Sequence, residues 1–283
     1  MTIIDAPPSA NYRLSFGGIL RSEWIKLRTV RSTNWCYLII IVLTVGLGYL
    51  VAGTIPAPSG AGAGSHAAQQ AAWVQAATIG VSFSQLVSAV LGALVITGEY
   101  GTGMIRSTIT AVPTRLPALV AKVLVFGVTT FVVALVSLTA TALLVAPLLS
   151  AKGIHPDFGD PAVWLAIVGG AGFLALIGVL SLSLGAIIRN SAGGIATSLG
   201  LILVLPIVLS ILTAVTQANW ARNLESFLPS GAGGRMYAYV SGTETAMPAG
   251  IVVLEPWQGF LVLAGWFVVL FFVASTLFKR RDA

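Results

Sequence analysis

Residues able to do chemistry are scarce in this chain, and the densest group of them interrupts two long apolar segments. No Asp, Glu, Lys or Arg occurs from Ser32 to Gly98. Residues 98–122, G-E-Y-G-T-G-M-I-R-S-T-I-T-A-V-P-T-R-L-P-A-L-V-A-K, then supply Glu99, Arg106, Arg115 and Lys122. Such a polar gap marks a return to water and a place to meet something. Nucleotide chemistry by the chain itself is not expected, because no G-x-x-x-x-G-K-[S/T] loop is present to cradle phosphates. His66 and His155 fall in predicted connections without a second ligand at metal spacing, so both are read as solvated. The single cysteine, Cys36, excludes an intramolecular disulfide and any multi-cysteine metal site. The residue types therefore predict no catalytic centre, no metal and no cofactor bound by this chain.

Composition sets the class. Of 283 residues 57% are hydrophobic and only 8% charged, with mean hydropathy +0.94, whereas a soluble domain carries about a quarter charged residues. An integral membrane protein follows. The excess of 15 Lys and Arg over 9 Asp and Glu does not line one soluble face, so nucleic acid is not an expected partner and the bases are read as topology signals. The first apolar run begins only after Asp5, Arg13, Arg21, Glu23, Lys26, Arg28 and Arg31, which is not the pattern of a cleavable signal peptide.

Six charge-free stretches are long enough to cross a hydrocarbon core of about 30 Å at about 1.5 Å per helical residue: 35–53, 73–97, 123–149, 162–188, 195–215 and 257–278. Each must be a helix, since lipid offers no partner to unpaired backbone groups. The predicted fold is therefore all-α, one transmembrane domain over 1–283. Its lead, 1–11, is expected to be disordered. An amphipathic interfacial helix is expected within 12–32, with Phe16, Ile19, Leu20, Trp24, Leu27 and Val30 on one arc. Glu23 falls inside that arc; local pairing with Lys26 at headgroup level is the first reading and a docking role the alternative.

With the N-terminus inside, the inner segments hold Arg13, Arg21, Lys26, Arg28, Arg31, Arg106, Arg115, Lys122, Arg189, Lys279, Arg280 and Arg281, and the outer ones only Lys152, Arg222 and Arg235. That asymmetry predicts both termini in the cytoplasm. The outer connection 53–72 is a Pro, Gly, Ala and Ser linker with little reason to fold. The last, 216–256, is expected to carry one or two short helices broken at 229–234.

Within the spans, Gln75, Thr78, Ser82, Gln85 and Gly92 share one helical face, which suits either a polar pathway or helix packing. Pro206 lies mid-span with Ser210 nearby, as a packing kink or as a hinge or pathway wall. Spans without ionisable groups disfavour a gradient-driven transporter. In the polar gap itself, Gly101 and Gly103 permit a turn after Glu99, and M-I-R-S-T-I-T reads as a short helix. Residues 98–108 are either a device that transmits a partner's motion or a plain connection with positive-inside charges, and 109–122 read as the return into the membrane.

Three segments give the chain a likeness. S-E-W-I-K-L-R-T at 22–29, G-E-Y-G-T-G-M-I-R-S-T at 98–108 and L-P-S-G-A-G at 228–233 together resemble the permease subunits of type-2 ATP-binding-cassette (ABC) exporters of the six-span bacterial kind. The resemblance implies a connecting helix before the first span, a coupling helix after the second, and short outer helices before the last. It implies an ABC ATPase partner that holds ATP and Mg, a second permease copy or paralogue, and a place in the bacterial cytoplasmic membrane. By the same resemblance Glu99, Tyr100, Gly101, Thr102, Gly103, Met104, Ile105 and Arg106 would contact the ATPase, supported by Glu23, Lys26 and Arg28. Gln75, Thr78, Ser82, Gln85, Pro206 and Ser210 would line the pathway or dimer interface, and Trp220, Phe227 and Pro229 an outer gate. The alternative function is a membrane anchor or sensor that transports nothing.

Overall fold

The computed structural model describes residues 15–58, 64–104, 116–240 and 250–280. The expected lead 1–11, Arg13, Ile105, Arg106, Arg115 and the short helix predicted after Gly103 from Ile105 onward lie outside the described residues. Helix α1 (Phe16–Thr29) starts where the Ser15 hydroxyl accepts the Gly18 N–H, and it turns Ile19, Glu23 and Leu27 inward at four-residue spacing. An extended Val30 separates it from α2 (Arg31–Thr54), whose inward face is Thr33, Tyr37, Ile40, Thr44, Gly48 and Ala52.

The second crossing is two helices, α3 (His66–Thr78) and α4 (Val81–Gly101). The linker expected over 53–72 is corrected at both ends: α2 runs to Thr54, and α3 begins at His66 because the Ser65 hydroxyl caps the Ala68 N–H. The step between α3 and α4 falls at Gly80, which presses on α2. A β-carbon there would stand 2.5 Å from Thr44 Cα and 2.9 Å from the Leu43 carbonyl oxygen, so any side chain would force the helices apart.

Helix α5 (Leu116–Ser150) has 35 residues, about 52 Å at 1.5 Å per residue, well beyond an apolar layer of about 30 Å. Its first turns therefore extend past the charge-free window and carry Lys122 as part of the helix. Helix α6 (Pro161–Ile188) is the centre of the bundle: 67% of its most apolar window is buried, against 11% for the last span. It pairs most extensively with α4, where the Ser88 hydroxyl donates to the Leu174 carbonyl at 2.8 Å and Gly92 meets the Gly178 backbone. Small residues at a crossing let two membrane helices approach closely. Helices α2 and α5 complete one side of this pair.

After Arg189 in the left-handed region (φ 61), Asn190 caps α7 (Ser191–Leu199), which continues through a π-turn, Gly200–Val204, into α8 (Leu205–Thr216). The Leu205 N–H reaches back five residues to the Gly200 carbonyl. Pro206 follows directly; it has no N–H, and its ring crowds the carbonyl four residues earlier, so the widened turn accommodates it inside the span. Two short helices come next, α9 (Asn219–Ser226) and α10 (Pro229–Met236), before α11 (Pro256–Arg280). The break expected at 229–234 is thereby corrected: Pro229 occupies the first helical turn, where a missing N–H is harmless, and the chain bends at Phe227 and Leu228 instead.

Helix α1, the end of α4, the start of α5, the turn from α6 to α7 and the end of α11 gather at one end of the bundle. The start of α3, the connection 151–160, α9 and α10 occupy the other. There Lys152 Nζ donates to the carbonyls of Ala52, Gly53 and Ile55 at 2.6–2.8 Å, closing the end of α2. Gln70 brackets the connection by donating to the His155 carbonyl and accepting from the Asp157 N–H, both at 3.0 Å. Asp160 caps α6 through the Ala162 N–H and accepts the Tyr239 hydroxyl at 2.7 Å.

Candidate functional site

Four charges from three helices meet at the α1 end. Lys26 Nζ lies 2.7 Å from Glu23 Oε1 and 3.1 Å from Glu99 Oε1. Lys122 Nζ lies 2.8 Å from the same Glu99 oxygen and also pairs with Glu23 Oε2. Glu23, Glu99 and Lys122 are at most 5% exposed, while Lys26 stands at the rim. The local Glu23–Lys26 pair expected from the sequence is present, but the second oxygen of Glu23 spans 99 residues of chain to reach Lys122. Lys122, expected only as the last residue of the return into the membrane over 109–122, ties α5 to both α1 and α4.

Burial alone would push the Glu23 carboxyl up; Lys122 and Lys26 more than offset it and hold the group below its ordinary range. Burial would likewise lower the Lys26 ammonium, and Glu23 and Glu99 more than reverse it, leaving the group raised. Glu99 stands in the last turn of α4, where exposed carbonyls disfavour an anion by about 0.3–1 kcal/mol. The two ammonium groups, not its own helix, hold it there. Removing one member of a buried ion pair costs about 3–5 kcal/mol because the other is left uncompensated.

Beside the cluster lies a cavity of about 390 Å³ between α1, α2, α4 and α5, walled by Leu27, Leu91, Leu94, Val95 and Phe126, with Glu99 and Lys122 at its polar side. Glu99 Oε1 takes both ammonium groups, whereas its Oε2 is buried with no hydrogen-bond partner among the described residues.

Next to Glu99, the Tyr100 ring lies under the Arg189 guanidinium, 5.3 Å from its centroid, and Arg189 also donates to the Leu277 carbonyl at 3.5 Å. The end of α4 is in this way joined to the α6–α7 turn and to α11. Gly101, Thr102, Gly103 and Met104 are exposed, as is Arg28. Of the residues expected to contact a partner, these present a surface, while Glu23 and Glu99 turn their carboxylates inward. Lys122 and Arg189 escaped sequence reasoning because each reads as a positive-inside charge. The usable signals were a lysine directly ahead of an apolar run and a lone arginine in a two-residue connection.

The expected pathway residues do not converge. Gln75 is exposed, Thr78 bonds back to the Val74 carbonyl, and Gln85 donates to the Ser82 carbonyl with its own Oε1 buried and without a partner among the described residues. Pro206 and Ser210 sit on α8, which shares no substantial interface with α3 or α4. At the other end Trp220 and Phe227 are exposed and Pro229 is buried. Helices α8 and α11 leave a broad apolar face exposed among the described residues, including Ile207, Val208, Ile211, Val268 and Phe272.

No individually curated protein matches the chain significantly. Residues 18–283 match the family described as ABC-2 family transporter protein, nearly the whole length, and the described residues hold six helical segments long and apolar enough to cross a membrane. The chain is a multi-pass membrane protein and belongs to the ABC-2 transporter family.

Proposed function

We propose that the chain is the transmembrane permease subunit of an ATP-driven exporter in a bacterial cytoplasmic membrane, with both termini and the α1 end in the cytoplasm. Two permeases, identical or paralogous, form the path, and separate ABC ATPase subunits supply the free energy by hydrolysing ATP with Mg. The observation that carries this reading is the rooting of the exposed segment 101–104. It leaves α4 beside Glu99, and Glu99 is ion-paired to α1 and α5, so a push from a docked ATPase is delivered to three helices at once. The charge count, with twelve bases on the inner segments, supports the orientation. The exposed apolar faces of α8 and α11 suit a second permease.

The reading is tested with the chain purified together with its partner ABC ATPase. A cysteine at Thr102 should cross-link to the ATPase, and Glu99→Gln should leave the complex assembled while lowering ATP turnover several-fold. A Thr102→Cys complex with no cross-link, together with unchanged turnover in Glu99→Gln, defeats the coupling role. An assembled complex that hydrolyses ATP without moving any lipid or amphiphile in liposomes would favour the non-transporting anchor.

A further inference from the structure

The end of the bundle away from the ion cluster is poor in positive charge: its connections hold only Lys152, Arg222 and Arg235 among lysines and arginines. Lys152 is engaged by the carbonyls that end α2. The two arginines line one cavity of about 320 Å³ between α9, α10 and residues 251–254. Its frame is fixed by side chains. Asn223 on α9 donates to the Gly250 carbonyl at 3.0 Å and accepts the Val252 N–H at 2.9 Å, and Arg235 on α10 donates Nε to the Leu254 carbonyl at 2.7 Å. Gly231 lets α10 close on α9, since a β-carbon there would run into the Glu225 carbonyl. The bond through Nε sets the plane of the Arg235 guanidinium and leaves its two terminal amino groups without a partner among the described residues. Arg222 and Glu225, about one turn apart on α9, also have side chains without a hydrogen bond or ion pair among the described residues. All three charged residues are half-buried, so solvent still reaches them. A guanidinium presents its N–H groups in a fork that matches two oxygens of a phosphate. Two positive charges against one negative leave the cavity net positive, which an anion neutralises and a zwitterion does not. Along the same cavity Ile251 and Val253 are half-buried and Val252 is exposed, an apolar strip open to contact. Trp220 and Trp257, exposed at the starts of α9 and α11, mark the level where apolar helices meet water, and α9 also exposes Leu224 and Phe227, as a helix lying in that boundary does.

We propose that this cavity binds the headgroup of an anionic phospholipid, its phosphate oxygens accepting from Arg222 and Arg235, its headgroup hydroxyls donating to Glu225, and its first chain carbons against Ile251 and Val252. The apolar strip beside the two guanidinium groups favours a phosphate carried on a lipid over a free one. The inference needs the α9 end to lie at a membrane boundary, and it does not depend on coupling to an ATPase or on transport.

The test titrates the full chain in detergent with phosphatidylglycerol, phosphatidylcholine and phosphatidylethanolamine of identical acyl chains, and native mass spectrometry gives the Kd of the first lipid adduct. The wild type should bind the glycerol lipid about tenfold tighter than either zwitterion, the discrimination of one charge-assisted hydrogen bond. Arg222→Gln should remove that preference. Arg21→Gln takes the same charge from the exposed side of α1 and should keep it. Val252→Glu places a negative charge on the exposed rim and should also abolish the preference, with the thermal transition retained. Inorganic phosphate, compared with chloride at equal ionic strength, should not displace the lipid. Equal Kd values for the three lipids, tighter binding of a zwitterion, an equal loss in Arg21→Gln and Arg222→Gln, persistence of the preference in a folded Val252→Glu, or displacement by inorganic phosphate, the mark of a free-anion site, would each overturn the proposal.

Discussion

The two ends of the bundle solve the same problem differently. At the α1 end, four charged side chains pair with one another across three helices, and no member keeps all its ion pairs without the others. At the opposite end, Lys152, Gln70 and Asp160 each satisfy backbone groups of a neighbouring segment on their own. The first arrangement is a single joint; the second is a row of independent fasteners. A joint of this kind couples helices and fails as a unit, whereas fasteners fail one at a time.

The largest expected effect is at the joint. Lys122→Met leaves two buried carboxylates with Lys26 as their cation among the described residues and should destabilise the detergent-solubilised chain by about 3–5 kcal/mol in thermal unfolding. Adding Glu23→Gln to Lys122→Met should restore part of that loss, with a coupling of about 0.5–3 kcal/mol. Strictly additive losses would mean that the joint is no joint.

The pH dependence sharpens the same contrast. Glu23 is depressed in the folded state, so its contribution is present above the unfolded carboxylate value and lost as pH falls through the lower folded one. Lys26 is raised, so its contribution is intact below the ordinary lysine range and lost as pH rises through the higher folded value. Stability measured across pH should therefore hold a plateau between these limits, and Glu23→Gln should weaken the acid edge. An acid edge unchanged in that variant would contradict the assignment.

Smaller effects belong to the other end. Lys152→Met should cost about 1–2 kcal/mol, the scale of a cation closing a helix C-terminus, and should add to the cost of Gln70→Leu without coupling. Tyr239→Phe should cost about 1 kcal/mol or less through one lost hydrogen bond. Burial first, then Asp160, pushes the Tyr239 hydroxyl up to about 12. Its contribution is accordingly intact below the ordinary tyrosine value and lost as pH rises through about 12. An alkaline edge identical in Tyr239→Phe would remove it from the account.

Hydropathy made the six crossings legible, because span length is dictated by the bilayer and a continuous apolar stretch of that length satisfies its own backbone as a helix. What it could not show was where helices run past the apolar window. Lys122 belongs to α5 and Glu99 to α4, each just beyond a charge-free stretch, so a sequence divided into spans and connections files both under connection. Glu23 was visible as a fault in an amphipathic arc, but its partner across 99 residues was not, since pairing depends on how α1 is laid against α5. The helix at His66 was hidden by a Gly- and Ala-rich composition and by a cap of one serine. The π-turn ahead of Pro206 was announced only by the proline.

The closure of α2 by Lys152 has a further consequence for anyone mapping the chain by surface chemistry. Its amine is engaged by three carbonyl oxygens at 2.6–2.8 Å, so the nitrogen has few orientations in which to attack an electrophile. A membrane-impermeant acylating reagent should modify it slowly, although the connection that carries it meets water. Silence at Lys152 would then report a capped helix and not a buried face, and partial unfolding, by freeing the end of α2, should switch its labelling on.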